Sequence, residues 1–278
     1  MNTPEPVRVD EPTRRLLDGI CEGRTRGAEG KRRDDIQKLT HGVVVSLMEA
    51  DPTYTVSSPD SSVIALAMLG AGDDSRNSFI QKIRRFKGLN IEVVRGLAAH
   101  NLLHQVFENW ESFHGLDVDS VVAVAIEQGK MSAVGNSLEI IQAIKPDFKF
   151  SPELVEAFIS ARNIDVLRNN LDLLPGLSQA AFEKILILDP YRPISGLFAK
   201  VAVEDGNALA TVLIATGRAR ALFTPEGLAL GDLNLVVLQR LLDSGQHDLI
   251  GRYHGRFPRL DALGILREER KDLGLPVD

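Results

Sequence analysis

Apolar residues recur every three or four positions along most of the chain, which is the spacing of one buried face of an α-helix. Ile36, Leu39, Val43 and Leu47 form one such stripe. Residues 53–56 alone show the alternation of a β-strand, and this stretch is too short to build a sheet. The pattern therefore predicts an all-α protein.

In the N-terminal half, loops and glycines divide the helical pattern into separate elements. Residues 1–10 are polar and are expected to be disordered. Residues 51–59 contain two prolines and are predicted to form a loop. The helix beginning near Asn90 is either continuous or broken near Gly96. The predicted helices of this half span residues 11–22, 31–50, 62–69, 75–86 and 90–113.

From Val118 onward the apolar pattern repeats itself. Residues 120–141 align without a gap on residues 153–174, at an offset of 33 residues. Val122 falls on Val155, and the neighbouring apolar positions coincide in the same way. Positions that stay on a buried face in both copies indicate a structural repeat. The repeating unit is predicted to be a helix, a short corner and a second helix.

The corner of this unit recurs further along the chain. Gly129, Arg162, Gly217 and Gly245 occupy its equivalent position, and successive corners are 33, 55 and 28 residues apart. Glycine suits the end of a helix because it adopts the left-handed conformation without steric strain. Arg162 departs from this chemistry and is expected to need an adjusted turn.

Proline and serine positions set the remaining elements of the C-terminal half. Ser151 and Ser178 are predicted to cap helices, and the sequence Asp-Pro-Tyr-Arg-Pro at residues 189–193 predicts a turn. The predicted helices around and after this turn span residues 177–188, 194–203, 232–243, 246–254 and 258–273.

The stretch Leu241–Ile250, with its glycine corner between two apolar pairs, resembles the repeats of α-helical solenoid proteins. The unit is similar to ankyrin repeats in length and corner chemistry, and to HEAT-type repeats in its plain helix pairing. The resemblance covers about half of the chain, from Val118 to His254. It implies helix-turn-helix repeats stacked as an irregular α-solenoid, which is a binding scaffold without catalytic residues. The predicted regions are residues 1–10, disordered; 11–115, helical; and 116–278, helical repeats.

The cysteine count and the distribution of apolar residues exclude several classes of protein. Cys21 is the only cysteine among 278 residues, so a disulfide within the chain and a cysteine-based zinc site are both excluded. The N-terminus lacks the basic and apolar segments of a signal peptide, and no apolar run approaches the length of a membrane span. A cytoplasmic protein with no membrane segment is therefore expected.

The favoured hypothesis for function is a non-enzymatic adaptor or regulator that binds another protein and needs no cofactor. Polar residues near the corners of the repeat region are the candidates for partner binding. These candidates are Arg162, Arg168, Asn169, Asn170, Tyr191 and Arg192.

A second hypothesis is a helical protein that associates with nucleic acid or another polyanion. The net charge of −6 argues against a general nucleic-acid binder, but the basic residues are clustered and leave room for a local patch. The clusters consist of Arg24, Arg26, Lys31, Arg32, Arg33, Lys82, Arg84, Arg85 and Lys87.

A third hypothesis is a metal-dependent helical enzyme. On one predicted helix over residues 98–114, His100, His104, Glu111 and His114 would lie within one arc, and the four-residue spacing of the first two can chelate a metal. The opposite arc is apolar, so this face is expected to be solvated instead. The chain contains neither a nucleophile elbow nor a phosphate-binding loop, and an enzyme is therefore less favoured than an adaptor.

Overall fold

The computed structural model describes residues 42, 44–57, 60–113 and 115–257. These residues are predominantly helical, which confirms the all-α prediction. The chain divides into two compact units, residues 1–147 and 148–278. The predicted disordered lead, the first predicted helix and the last one at 258–273 lie outside the described residues.

In the first unit, short α-helices alternate with tight turns. Residues 44–50 are helical and are followed by a loop whose Val56 makes an isolated parallel bridge to Phe86. Two turns of 3₁₀-helix follow the α-helices that end at Lys82 and Glu108. They lie at Ile83–Arg85 and Trp110–Ser112. The α-helices are α1 Asp60–Gly70, α2 Asp73–Lys82, α3 Ile91–Ala99, α4 His104–Glu108, α5 Val118–Glu127, α6 Met131–Asn136 and α7 Leu138–Ile144.

Of the two alternatives for residues 90–113, the continuous helix is wrong, and the break lies beyond Gly96. The chain turns after α3, where Asn101 has a left-handed φ of 61°. The N–H of Asn101 donates to the carbonyl of Ala98 at 3.0 Å, and the N–H of Leu102 donates to that of Leu97 at 2.8 Å. Asparagine is one of the few residues besides glycine that tolerate this conformation, so it ends the helix five residues beyond Gly96.

The second unit consists of further helix pairs. The side chains of Ser151 and Ser178 accept hydrogen bonds from the N–H groups of Leu154 and Ala181, which confirms both predicted caps. Two 3₁₀ segments occur at Ala219–Phe223 and His254–Arg256. The α-helices are α8 Pro152–Ser160, α9 Ile164–Asn169, α10 Gln179–Leu188, α11 Ser195–Phe198, α12 Gly206–Ala215, α13 Pro225–Leu228, α14 Leu235–Asp243 and α15 His247–Arg252.

The predicted helix over residues 194–203 is wrong beyond its first turn. α11 ends at Phe198, and residues Val201–Ala202 form β2, which pairs in parallel with β1 at Leu177–Ser178. Each strand has two residues, which is too short for hydrophobic alternation to mark it in the sequence.

The same corner closes the first helix of five pairs. At Gly217, for example, φ is 75°; its N–H donates to the carbonyl of Ile214, and the next N–H donates to that of Leu213. This pair of bonds is the Schellman motif, which satisfies the last carbonyls of a helix. Arg162 adopts it with a φ of 58°, so the adjusted turn expected there is not needed. The five left-handed corner residues are Asn101, Gly129, Arg162, Gly217 and Gly245.

A second recurrent hydrogen bond closes four of the pairs. The buried apolar residue that precedes the cap of the first helix donates its N–H to a carbonyl beyond the second helix, always 23 residues later. The equal spacing shows that these segments are built alike although their sequences differ. The bonds join Leu89 to Ser112, Phe150 to Leu173, Leu177 to Lys200, and Leu233 to Arg256.

Within each unit, the first helices of consecutive pairs pack against one another. In the first unit α3 contacts both α1 and α5, and in the second α8, α10, α12 and α14 pack in chain order. The residue four positions before each left-handed corner is completely buried in this packing. These residues are Leu97, Ala125, Phe158, Leu213 and Leu241. The start of the repeat region at residue 116 stays a prediction.

Candidate partner-binding site at an enlarged corner

One helix pair of the second unit has an enlarged corner. The caps of the regular pairs precede the left-handed residue by 11 or 12 positions; they are Asn90, Asp117, Ser151, Asp205 and Asn234. A distance of 11 positions from Ser178 leads to Asp189. Asp189 has a φ of −135° instead, because Pro190 disfavours the helical region for the residue before it. The second helix, α11, begins only at Ser195. The corner therefore contains a longer loop, residues 189–193, formed at the expense of the second helix, and we call this loop the enlarged corner.

A guanidinium group from the next pair holds this loop. Arg218 donates to the carbonyls of Leu186 at 3.2 Å, of Asp189 at 2.6 Å and of Arg192 at 3.1 Å. Partial burial lowers the pKa of Arg218, but an arginine remains protonated in a protein. A charged donor thus fixes three carbonyls of the loop and of the helix end that carries it.

A second guanidinium group holds the loop from the preceding pair. Arg168, whose side chain is 13% exposed, bonds the carboxylates of Asp189 at 2.6 Å and Asp165 at 3.1 Å. Its Nε donates to the carbonyl of Pro193 at 3.2 Å. Its Nη2 is buried and has no hydrogen-bond partner among the residues that the structure describes. Both ends of the enlarged corner are therefore attached to the helices beside it.

A cleft of about 200 Å³ lies between the enlarged corner and the neighbouring corner at Arg162. Arg192 donates to the carboxylate of Asp165 across it, and this hydrogen bond lowers the pKa of Asp165. The carboxyl is therefore ionised at neutral pH. The cleft is lined by Arg162, Ile164, Asp165, Leu188, Asp189 and Arg192.

Arg162 differs from the other charged residues of the cleft because its guanidinium group has no ion-pair partner among the described residues. Its side chain is exposed, and no hydrogen bond or ion pair engages it within residues 60–257 as far as they are described. Its backbone has the left-handed conformation that the other corners give to glycine or asparagine. This conformation costs a branched or long side chain about 1 kcal/mol, and such strain concentrates at functional sites.

The enlarged corner also exposes large apolar side chains. Tyr191, at its tip, is 95% exposed, while Ile187 and Leu188 at the end of α10 are 65% and 40% exposed. These three exposed apolar side chains lie within five consecutive residues, and a cluster of exposed apolar groups favours contact with another molecule.

Four of the six predicted partner-binding residues gather at this place, and two have other positions. Arg162 and Arg192 line the cleft, Arg168 lies behind it, and Tyr191 projects from the loop. Asn169 is exposed at the end of α9. The side chain of Asn170 donates to the carbonyl of Val166 at 2.8 Å, so it caps that helix.

Five residues of the site were not predicted from the sequence. Ile164, Asp165, Leu188 and Asp189 line the cleft, and Arg218 fixes the loop. The partners of Arg218 are backbone carbonyls 26 to 32 residues away, and no side-chain pattern in the sequence marks such a contact. Asp189 carried a signal, because it stands where the spacing of the corners requires a turn.

The predicted arc of histidine and glutamate residues does not form. The helical break at Asn101 separates His100 from His104, and Glu111 lies in a separate 3₁₀ turn. His114 lies outside the described residues. Partial burial lowers the pKa of His100. Within the described ranges, no group of three or more His, Cys, Asp or Glu side chains is placed to hold a metal ion.

Part of the predicted polyanion-binding cluster is engaged inside the first unit. The Nε of Arg84 donates to the side-chain oxygen of Asn109 at 3.1 Å, and Arg85 donates to the carbonyl of Met48 at 2.7 Å. Lys87 is exposed and Lys82 is half-buried. The other members, between residues 24 and 33, lie outside the described part, so the patch stays a prediction.

Comparison with known proteins gives no relative for this chain. No family model matches it, and no match is found among the curated proteins or the solved structures. Among the helices that the structure describes, none has both the length and the apolar character needed to cross a lipid bilayer.

Proposed function

We propose that this chain is a non-enzymatic helical-repeat scaffold that binds another protein through the enlarged corner. We also propose a cytoplasmic location, which the single cysteine favours. The proposal joins two features: a serial stack of helix pairs, and one corner whose geometry departs from that stack.

The serial packing supports a scaffold. The first helices of consecutive pairs are in contact, such as α8 with α10 and α10 with α12, and a solenoid in which each pair covers the apolar face of its neighbour requires such contacts. Side chains also link consecutive pairs: Gln179 accepts the N–H of Asp205 at 2.8 Å, and Asn207 accepts that of Asn234 at 2.9 Å. Solenoids of this kind present surface residues on a rigid frame, and protein binding is their usual function.

The observation that carries the proposal is the exposed Tyr191 on a loop whose backbone is fixed by Arg218 and Arg168. Ordering a loop before binding lowers the entropic cost of association. Tyrosine combines a large contact area with few rotatable bonds, which is why it is frequent at binding hot spots.

Affinity capture from the native host tests this proposal. We expect the wild-type chain to retain a specific protein partner, and we expect Tyr191→Ser to lose most of it. Val236→Ser serves as the matched control, because Val236 is 60% exposed on α14 and lies outside the cleft.

The control should retain the partner at the wild-type level. Equal capture by Tyr191→Ser and the wild type would contradict the assignment of the enlarged corner. Absence of any protein that binds reproducibly would contradict the scaffold function itself.

A further inference from the structure

The charge around the cleft is opposite in sign to that of the whole chain. Four guanidinium groups, those of Arg162, Arg168, Arg192 and Arg218, surround the carboxylates of Asp165 and Asp189 in a chain whose net charge is −6. This local excess of positive charge favours a ligand that carries a negative group.

The arginines divide into two that hold the loop and two that are available to a ligand. Arg168 and Arg218 are bound to carboxylates and carbonyls of the enlarged corner. Arg192 is 57% exposed although it pairs with Asp165, and Arg162 is exposed and uncommitted. A single carboxylate between Arg162 and Arg192 would accept charge-assisted hydrogen bonds from both guanidinium groups.

The apolar side chains beside the cleft restrict the ligand further. Leu188 lines the cleft, and Ile187 and Tyr191, which precede the lining residues Leu188 and Arg192 in the chain, expose most of their surface. Covering them removes apolar surface from water, which favours a ligand with a large apolar side chain. A polyphosphate backbone has no large apolar side chain that could cover them.

We infer that the cleft binds a peptide segment in which an aspartate or glutamate stands beside a large apolar residue. The acidic side chain lies between Arg162 and Arg192, and its apolar neighbour packs on Leu188 and Tyr191. This inference rests on the proposed scaffold function and adds the chemistry of the partner segment.

Selection of a displayed random peptide library on the full-length protein tests the inference. We expect the peptides selected by the wild type to be enriched in an acidic residue adjacent to Leu, Ile, Phe, Tyr or Trp. The decisive variant is Arg162→Gly, because glycine fits the left-handed corner and the fold is expected to be retained. The strongest selected peptide should bind this variant at least about tenfold more weakly.

Three comparisons separate the site from general charge effects. Arg240→Gln, which removes an exposed arginine on α14, should leave peptide affinity unchanged. Replacing the acidic residue of the peptide by its amide should weaken binding to the wild type and have little effect on Arg162→Gly. A single-stranded oligonucleotide at low salt should not displace the peptide.

The possible failures are distinguishable. Selection of apolar peptides without an acidic residue, or full affinity of Arg162→Gly, would overturn the inference while capture through Tyr191 still supported the scaffold. Displacement of the peptide by the oligonucleotide would overturn it in favour of a polyanion ligand. If no peptide is selected and no partner is captured, both proposals fail.

Discussion

At the scale of single residues, the corners show how one backbone angle specifies a turn. Gly129, Gly217 and Gly245 have φ values of 66°, 75° and 70°, and Arg162 has nearly the same value, 58°. The hydrogen bonds that close the four corners are the same. Their pattern therefore depends on the fold, and the identity of the residue determines only how much strain the corner contains.

Replacing Arg162 by glycine should stabilise the chain. The substitution relieves the left-handed strain of an arginine, and we expect the free energy of unfolding to rise by about 0.5–1 kcal/mol. Urea denaturation monitored by circular dichroism measures the change.

The converse substitution, Gly129→Ala, is the control. An added Cβ at Gly129 meets no atom within 4 Å, so only backbone strain changes, and we expect a loss of about 1 kcal/mol. A glycine at position 162 that leaves the stability unchanged, or lowers it, would show that the arginine at this corner is not strained.

At the scale of helices and strands, an element could be predicted from the sequence where a cap or a corner residue marks its end. The caps at Ser151 and Ser178 and the glycine corners are specified by one or two residues, and the sequence predicted them correctly. The corner at Asn101 was missed because a break in this stretch was expected only near Gly96, five residues earlier. β1 and β2 were missed because two-residue strands depend on a partner segment and have no pattern of their own.

The enlarged corner was predicted as a turn but not as a corner of the repeat. The interval of 55 residues between Arg162 and Gly217 contains one further helix pair, whose corner is Asp189 followed by proline. The turn and the helices on both sides of it were predicted from its prolines, but its place in the series of corners was not. The departure from the common corner also creates the loop that we propose as the binding site.

A close crossing of two short helical segments yields a separate prediction at this scale. Gly227, at α13, lies so near the preceding 3₁₀ segment that an added Cβ would be 2.1 Å from the carbonyl oxygen of Ala221. Backbone must move to admit a methyl group, so we expect Gly227→Ala to lower the free energy of unfolding by about 2–3 kcal/mol.

Gly255→Ala is the matched control for this crossing. A Cβ at Gly255 meets nothing within 4 Å, and we expect its effect to stay within about 0.5 kcal/mol. Thermal unfolding of both variants provides the comparison. Equal melting temperatures for the two variants would contradict the tight packing of this crossing.

At the scale of the whole molecule, the sequence predicted the class of fold better than the site. Apolar periodicity reports which face of a helix is buried, and it led to the helix pairs that the structure contains. The cleft depends on contacts between consecutive pairs, such as those of Arg218 with the enlarged corner. These contacts join a side chain to distant backbone atoms, and a single sequence contains no trace of them.

Amide hydrogen exchange of the full chain, with and without the strongest selected peptide, tests the central claim most directly. The account predicts slower exchange at residues 161–165 and 187–193 in the complex, and unchanged exchange on α14. Protection confined to other helices, with residues 187–193 exchanging at the same rate in both states, would contradict the assignment of the enlarged corner as the binding site.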